Sequence, residues 1–382
     1  MLSSQPSTPI RPAEQGLRTR IYEGISALPD SYDSLFNAVD LRWFYFSRAW
    51  FQNFEATALD PGDQVRWYGI ENLCDGTPLL ALPMRHRIRL RGPFKVRELS
   101  ALSNFYTSLY GPIVNHDDSS TQTALNVLAN LVVEEGWDVI DLRPLDVNST
   151  LFGQMVKALL TAGLMVQRYF CFGNWYAQVN GRSYQQYFET LPSALKNTLL
   201  RKNKKLQKAA GAEVNIYTSP AGIEEAIQLY ERAYLASWKV PEPYPHFAAG
   251  LIRLCAEKGW LRLGVICIEN EPIAVQLWII KGDHATIFKL AHDERFAQYS
   301  AGSILTARLM EHAIDVDHVR EIDFGSGDDD YKKSWLPQRR ERWGLLCFNR
   351  RSFPGLALGA WHLGGRATKS LVTRFLSAIC RS

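Results

Sequence analysis

Trp260-Leu-Arg-Leu-Gly-Val-Ile-Cys-Ile268, Pro272-Ile-Ala-Val-Gln-Leu-Trp-Ile-Ile280 and Ala285-Thr-Ile-Phe-Lys-Leu-Ala291 are three apolar runs of strand length. Only Glu-Asn-Glu and Lys-Gly-Asp-His separate them, and connectors that short suit hairpins. The runs therefore read as three consecutive antiparallel strands. Downstream, Gly302–Ile314 reads as a helix, Val319–Phe324 as a strand, Asp328–Trp335 as one or two helical turns, and Arg342–Asn349 as a last strand. Upstream, Ser183–Ala210 is helical, with Pro192 and Ser193 suited to a start and Gly211 to an end. A second helix is expected after Ser219 and Pro220, with an apolar stripe through Ile223, Ile227, Tyr230 and Tyr234. A third runs from Pro245 to Lys258 and stops at Gly259. Helices and strands interleave, so the fold class is α/β.

The first half follows a similar plan. Phe46, Trp50 and Phe54 mark one helical stripe, which we read as core packing. Val65–Glu71, Leu79–Arg89, Val96–Leu102 and Ser108–Val114 read as strands. Thr121–Glu135 is a helix closed by Gly136, Trp137–Arg143 a strand, and Ser149–Thr161 a helix closed by Gly163. Gly76-Thr-Pro-Leu-Leu-Ala-Leu-Pro echoes Asn270-Glu-Pro-Ile-Ala-Val-Gln-Leu, and Asp138-Val-Ile-Asp-Leu-Arg echoes Arg320-Glu-Ile-Asp-Phe-Gly. The echo implies two copies of one fold. The expected divisions are a flexible leader at 1–18, domains at 19–180 and 181–350, and a tail at 351–382.

Bulk properties narrow the function. A chain of 382 residues with 46% hydrophobic and 21% charged residues is globular and long enough for two cores. A net charge of +4 excludes a chain that is basic throughout but permits local basic faces. The six cysteines are far apart and form no C-x-x-C, which argues against a zinc site or a disulfide framework and favours a reducing cytoplasm. No run of 18 apolar residues exists to span a membrane. The tail carries Arg366, Lys369, Arg374 and Arg381 among apolar residues, a pattern open to peripheral contact with an inner membrane.

Polar chemistry concentrates in Asp323-Phe-Gly-Ser-Gly-Asp-Asp-Asp-Tyr-Lys-Lys-Ser-Trp335. Gly325 and Gly327 make a turn between strand and helix. Asp328, Asp329 and Asp330 read as helix-start acids stabilised by the macrodipole, so no metal is expected. Asp323 ends an apolar strand, where a purely structural acid has little reason to be. Lys196, Arg201, Lys202, Lys204, Lys205 and Lys208 lie within one helix with no acid between them, a face suited to phosphate or to solvent. Walker, H-E-x-x-H and G-x-S-x-G patterns are absent.

The element order from Trp260, Ala301-Gly-Ser-Ile-Leu305 and the Asp323–Trp335 pattern together resemble the GNAT superfamily. The similarity is to its CelD/BioF-like acetyltransferase branch, related to the Fem-type aminoacyl transferases. Ser103-Asn-Phe-Tyr-Thr-Ser-Leu-Tyr-Gly-Pro is similar to the N-terminal half of such proteins. The resemblance implies two tandem GNAT-like domains, each a mixed, mainly antiparallel sheet flanked by helices, with the second catalytic. It implies an N-acyltransferase that moves an acyl group, acetyl first among them, from acyl-coenzyme A to an amine or hydroxyl. The acceptor would be a small molecule or glycan precursor in polysaccharide or cell-envelope synthesis.

Under that resemblance Gln298, Ala301, Gly302 and Ser303, with Lys202 and Lys205, would hold the cofactor phosphates. Tyr331 would protonate the leaving thiolate, Lys332 would favour negative charge nearby, and Asp323 would orient or deprotonate the acceptor. Gly325, Gly327, Asp328 and Trp335 would shape the site. Two alternatives stay open: an aminoacyl-tRNA-dependent, Fem-like transferase with Lys196–Lys208 on the RNA, and a non-catalytic GNAT-fold assembly factor.

Overall fold

The structure is a computed structural model that describes residues 16–38, 43–91, 94–114 and 118–363. Of the expected leader at 1–18, residues 1–15 lie outside the described residues, while Leu17 and Arg18 already belong to a strand; the tail from residue 364 also lies outside them. The chain forms two compact units that do not follow chain order. Unit 1 comprises 1–39, 60–171 and 342–382; unit 2 comprises 40–59 and 172–341.

Strands of unit 1 are β1 (Leu17–Tyr22), β2 (Gln64–Asn72), β3 (Pro78–Arg91), β4 (Phe94–Ala101), β5 (Ile113–Val114) and β6 (Val139–Asp146). The first part of β7 (Leu164–Gln178) and most of β13 (Gln338–Asn349) also belong to it. Its sheet runs β1-β2-β3-β4-β6-β13, with β5 on β3. The β4–β6 pair is parallel and the others are antiparallel. Helices α1 (Asp33–Ala38), α3 (Asp118–Glu134) and α4 (Thr150–Thr161) accompany it. Leu128, Val132, Met155 and Leu159 of α3 and α4 join Leu82, Leu99, Ile140 and Leu345 of the sheet in one apolar core.

Unit 2 holds β8 (Ala212–Tyr217), β9 (Leu261–Ile268), β10 (Glu271–Lys281), β11 (His284–His292) and β12 (Glu321–Asp323). The expected three-strand meander is β9-β10-β11, with all pairs antiparallel. β8 extends it at one edge, β12 lies parallel to β11, and the second part of β7 pairs with β12 antiparallel. Its helices are α2 (Arg48–Thr57), α5 (Tyr184–Thr190), α6 (Ser193–Gln207), α7 (Ile223–Leu235), α8 (Phe247–Glu257), α9 (Ala301–Glu311) and α10 (Asp330–Trp335). Tyr187, Leu199, Leu206, Ile304 and Leu305 pack with Ala274, Trp278 and Ile280 in one core. Trp50 and Phe54 of the expected aromatic stripe are core packing, whereas Phe46 lies in the 3-10 turn before α2 and is only partly buried. Trp50 and Phe54 are buried against Phe247, and Trp50 also meets Phe288.

Several elements differ from the sequence reading. Ser183–Ala210 is two helices, α5 and α6, rather than one; Pro192 and Ser193 do mark a helix start, that of α6, since Pro lacks an N–H and has a fixed φ. The helix expected after Ser219 begins at Ile223, because Gly222 at φ 69° supplies the left-handed residue that precedes it. Ser108–Val114 keeps only the two strand residues of β5. Arg342–Asn349 pairs with β6, so it completes unit 1 rather than unit 2. Residues 40–59 join unit 2 through α2, whose aromatic face packs on α8.

Candidate active site

The site is built where two parallel strands part. β11 and β12 are paired only from His284↔Glu321 to Thr286↔Asp323. β11 then continues to His292, whereas β12 ends and the chain turns at Gly325, whose φ is 61°. Next to the parting, the β10–β11 register steps from Trp278↔Ile287 to Leu277↔Lys289, which leaves Phe288 as the extra residue of a bulge. Bulges bend a strand and re-aim its side chains. The result is a wedge whose one wall is the far half of β11 and whose other wall is the 324–332 segment.

Lys332 holds that second wall in place. Its side chain is buried, and Nζ donates to the carbonyl of Ser326 at 2.6 Å and to those of Phe324 and Gly327 at 3.3 Å each. Asp329 lies 3.2 Å away. Burial lowers the pKa of this ammonium, opposed by the nearby aspartates. Lys332 therefore fastens the glycine turn, and Gly327 at φ 104° adopts a backbone that a side chain would strain. Tyr331, its neighbour, is 45% exposed, with its ring against Phe324. Burial, then the charge of Asp329, raise its pKa well above the ordinary phenol value, so the O–H stays protonated at neutral pH.

Asp329 stands at the N-cap of α10 and Asp330 in its first turn, and each of the three aspartates also has a partner of its own. Asp328 accepts from Arg339 and from the Trp175 indole, Asp329 pairs with Lys332, and Asp330 with Lys333. That helix has six residues, and the Asp329 side chain makes no capping hydrogen bond. Trp335 is buried in the core, and its carbonyl accepts from Tyr187 at 2.5 Å.

Asp323 sits deeper than a residue that meets an acceptor. It is 1% exposed, and its carboxylate accepts from the Asn174 amide at 2.7 Å, the Gly325 N–H and the Arg340 guanidinium. Arg340 also bonds Asn174 and lies 2.8 Å from Glu321, between the faces of Trp43 at 4.9 Å and Tyr176 at 4.3 Å. His284 stands 3.5 Å from Glu321. Ligand-type atoms of His284, Glu321 and Asp323 fall within 4.8 Å of one another, yet the guanidinium already supplies the cation between the two acids.

The phosphate-directed residues converge at the other end of the wedge. Ser300 takes a left-handed turn at φ 52°, and α9 starts at Ala301. The first-turn N–H groups of Ala301, Gly302 and Ser303 have no acceptor within their own helix. Lys202 of α6 donates to the carbonyl of Gln298 at 2.7 Å, and the Lys205 ammonium lies 5.3 Å from the Tyr299 ring. Gly302 packs so closely on His292 that a Cβ would lie 3.2 Å from Nδ1, while its carbonyl accepts from Gln276. Lys196 bonds the Glu189 carbonyl; Arg201, Lys204 and Lys205 of α6 and Lys208 at its C-cap are exposed. Such an end, with two lysines and a helix start, is suited to an anion.

Sequence reading missed Asn174 and Arg340, which fix Asp323, because Asn174 lies in β7, a strand that its mixed polar and aromatic text concealed. It also missed Lys239 and Lys289, which no local pattern singles out.

Residues 193–333 match the family model described as Acetyltransferase (GNAT) domain. A comparison with curated proteins finds no match. Among solved structures, FemX superposes with a TM-score of 0.57 at 10% identity, covering 84% of this chain and 96% of that one. A conserved protein of unknown function from Bacteroides thetaiotaomicron VPI-5482 gives 0.51 at 12% identity, covering 83% and 96%. A tandem GNAT protein from the clavulanic acid biosynthesis pathway gives 0.49 at 9% identity, covering 86% and 98%. At identities this low, the first two likenesses speak for the fold alone.

Proposed function

From the premise that residues 193–333 are a GNAT acetyltransferase domain, we propose that unit 2 transfers an acyl group from acyl-coenzyme A to an amine or hydroxyl acceptor. The observation that carries the proposal is the wedge between β11 and β12, with the start of α9 at one end and Tyr331 in one wall. The two lysines and the free N–H groups fit a pyrophosphate. A bound thioester would supply an activated acyl carbon and a thiolate leaving group.

This chain's residues then have distinct tasks. Lys202 and Lys205 neutralise phosphate charge, with Gln298 positioned by Lys202. Ala301, Gly302 and Ser303 offer backbone N–H groups. Tyr331 keeps its proton at neutral pH and can hydrogen-bond to the departing thiolate; because burial raises the phenol pKa, the proton that sulfur finally takes comes from the attacking acceptor. Lys332 acts by fastening the turn that carries Tyr331. Asp323 we assign to positioning: through Asn174, Gly325 and Arg340 it fixes the parting of the strands.

A second reading draws on the exposed Arg201, Lys204 and Lys205 of α6 and Lys208 at its C-cap, an acid-free face suited to an RNA backbone. The two readings separate by titration with coenzyme A and with bulk tRNA at 50 and 200 mM salt. A salt-tolerant coenzyme A isotherm supports the first. Binding of tRNA alone, collapsing by orders of magnitude over that range, supports a Fem-like aminoacyl transferase and refutes the first. Among the described residues no helix is long and apolar enough to cross a membrane. A glycan-precursor acceptor and peripheral membrane contact through 351–382 remain parts of the proposal.

A further inference from the structure

The segment after α7 places one lysine in an unusual setting. Ser237 forms an isolated bridge to Asp293, immediately beyond the end of β11. The Ser237 hydroxyl donates to the carbonyl of Tyr234 at 2.7 Å and accepts from the Lys239 N–H at 3.3 Å. Trp238 then lies against His292, with ring centroids 4.4 Å apart, and His292 touches Gly302 at the start of α9. Lys239 is thereby held beside the open half of β11. Its Nζ lies 5.6 Å from the Tyr234 ring and 5.7 Å from the Trp238 ring.

Neighbouring charges are already taken. Glu242 binds Lys289 at 2.6 Å and accepts from the Tyr234 hydroxyl at 2.5 Å. Asp329 belongs to Lys332. Among the described residues no carboxylate or carbonyl bonds the Lys239 ammonium. Three ammonium groups, from the segment after α7, from β11 and from α10, thus share two acids. The charges that act on Lys239 are Lys289, Glu242, Lys332 and Asp329. Contact with two aromatic faces would favour its cation. Burial and the two other lysines oppose it more strongly and bring its pKa down to about 8. At pH 7 a lysine at about 8 holds on the order of 10² times more neutral amine than one at the ordinary value of about 10.4.

We propose that Lys239 is a nucleophilic amine of this cleft that accepts an acyl group from the donor when no acceptor is bound. The inference rests on the acyl-donor reading above. The Nζ lone pair attacks the acyl carbonyl carbon, an amide C–N bond forms, and the thioester C–S bond breaks with its electron pair on sulfur. The proton lost by nitrogen ends on sulfur, so the products are an acylated Lys239 and a free thiol.

The test uses the full chain and two acylating probes, acetyl-coenzyme A and trace acetic anhydride, the second needing no donor site. Peptide mass spectrometry reads which lysines are labelled, and thermal melting reads binding of acetyl-coenzyme A. We expect both probes to label Lys239 at least about tenfold ahead of the exposed Lys204 and Lys208, with a rate that rises through a midpoint near pH 8. Lys239→Arg should lose that label while keeping its melting temperature. Anhydride labelling that treats Lys239 like the exposed lysines overturns the inference. Stabilisation by acetyl-coenzyme A without label at Lys239 also overturns it and leaves the donor reading standing. Preferential anhydride labelling with neither stabilisation nor label from acetyl-coenzyme A refutes the donor reading, and supports the reactivity assigned to Lys239.

Discussion

Replacing Arg340 with methionine should strand two buried carboxylates. Asp323 is 1% and Glu321 5% exposed, and Arg340 is the cation bonded to both. Removal of one partner from a buried ion pair costs about 3–5 kcal/mol, because the remaining charge keeps its desolvation penalty without its attraction. Loss of the stacked faces of Trp43 and Tyr176 adds to this. Arg340→Lys should fall between wild type and Arg340→Met, since an ammonium keeps the charge but cannot span Asp323, Asn174 and Glu321 as a planar fork does. Urea denaturation followed by tryptophan fluorescence gives the comparison. The triple variant Arg340→Met, Asp323→Asn, Glu321→Gln should recover much of the loss, because it removes the charges together. A loss below about 1 kcal/mol for Arg340→Met, or a triple variant no better than the single one, would refute the claim that this cation secures the parting of β11 and β12.

Other consequences follow from the same geometry. Lys332→Met leaves the carbonyls of Phe324, Ser326 and Gly327 without their shared donor, so we expect a loss of about 1–3 kcal/mol and faster proteolysis within residues 325–329. Gly327→Ala should cost about 1–3 kcal/mol from its φ of 104°. Gly153→Ala, inside α4 with open space around it, should instead gain about 0.5–1 kcal/mol, and thermal melts of the pair read both signs. Lys239 titrates near 8 when folded and near about 10.4 when unfolded, so between those values the unfolded chain binds more protons and stability rises with pH. Wild type should therefore gain stability relative to Lys239→Met across that window; a parallel pair of curves would remove the basis for its reactivity.

The fold was legible wherever a short connector or a period forced the choice. Three apolar runs joined by tight turns could hardly be anything but the β9–β11 meander, and the 3.6-residue stripe of Trp50 and Phe54 located α2. β7 was not legible, because its fifteen residues mix polar, aromatic and apolar side chains without a clean alternation. The division into units was hidden for a different reason. Membership of 40–59 and 342–349 is set by contacts with distant segments, α8 and β6, and local pattern carries no trace of these. In the site, the glycine turn, Tyr331 and the residues around α9 could be picked out as chemistry gathered in sequence. Arg340, Asn174, Lys239 and Lys289 could not, since each matters only through a partner brought to it by the sheet.

The placement of the donor is the central claim, and hydrogen exchange with and without acetyl-coenzyme A tests it most directly. A ligand at 100 times its dissociation constant stabilises the bound state by about 2.7 kcal/mol, enough to slow local opening about a hundredfold. The account predicts slowed exchange at Ala301, Gly302 and Ser303, along β11 beyond Thr286, and in the 325–332 segment. Unchanged exchange at all three places, or protection confined to unit 1, would contradict it.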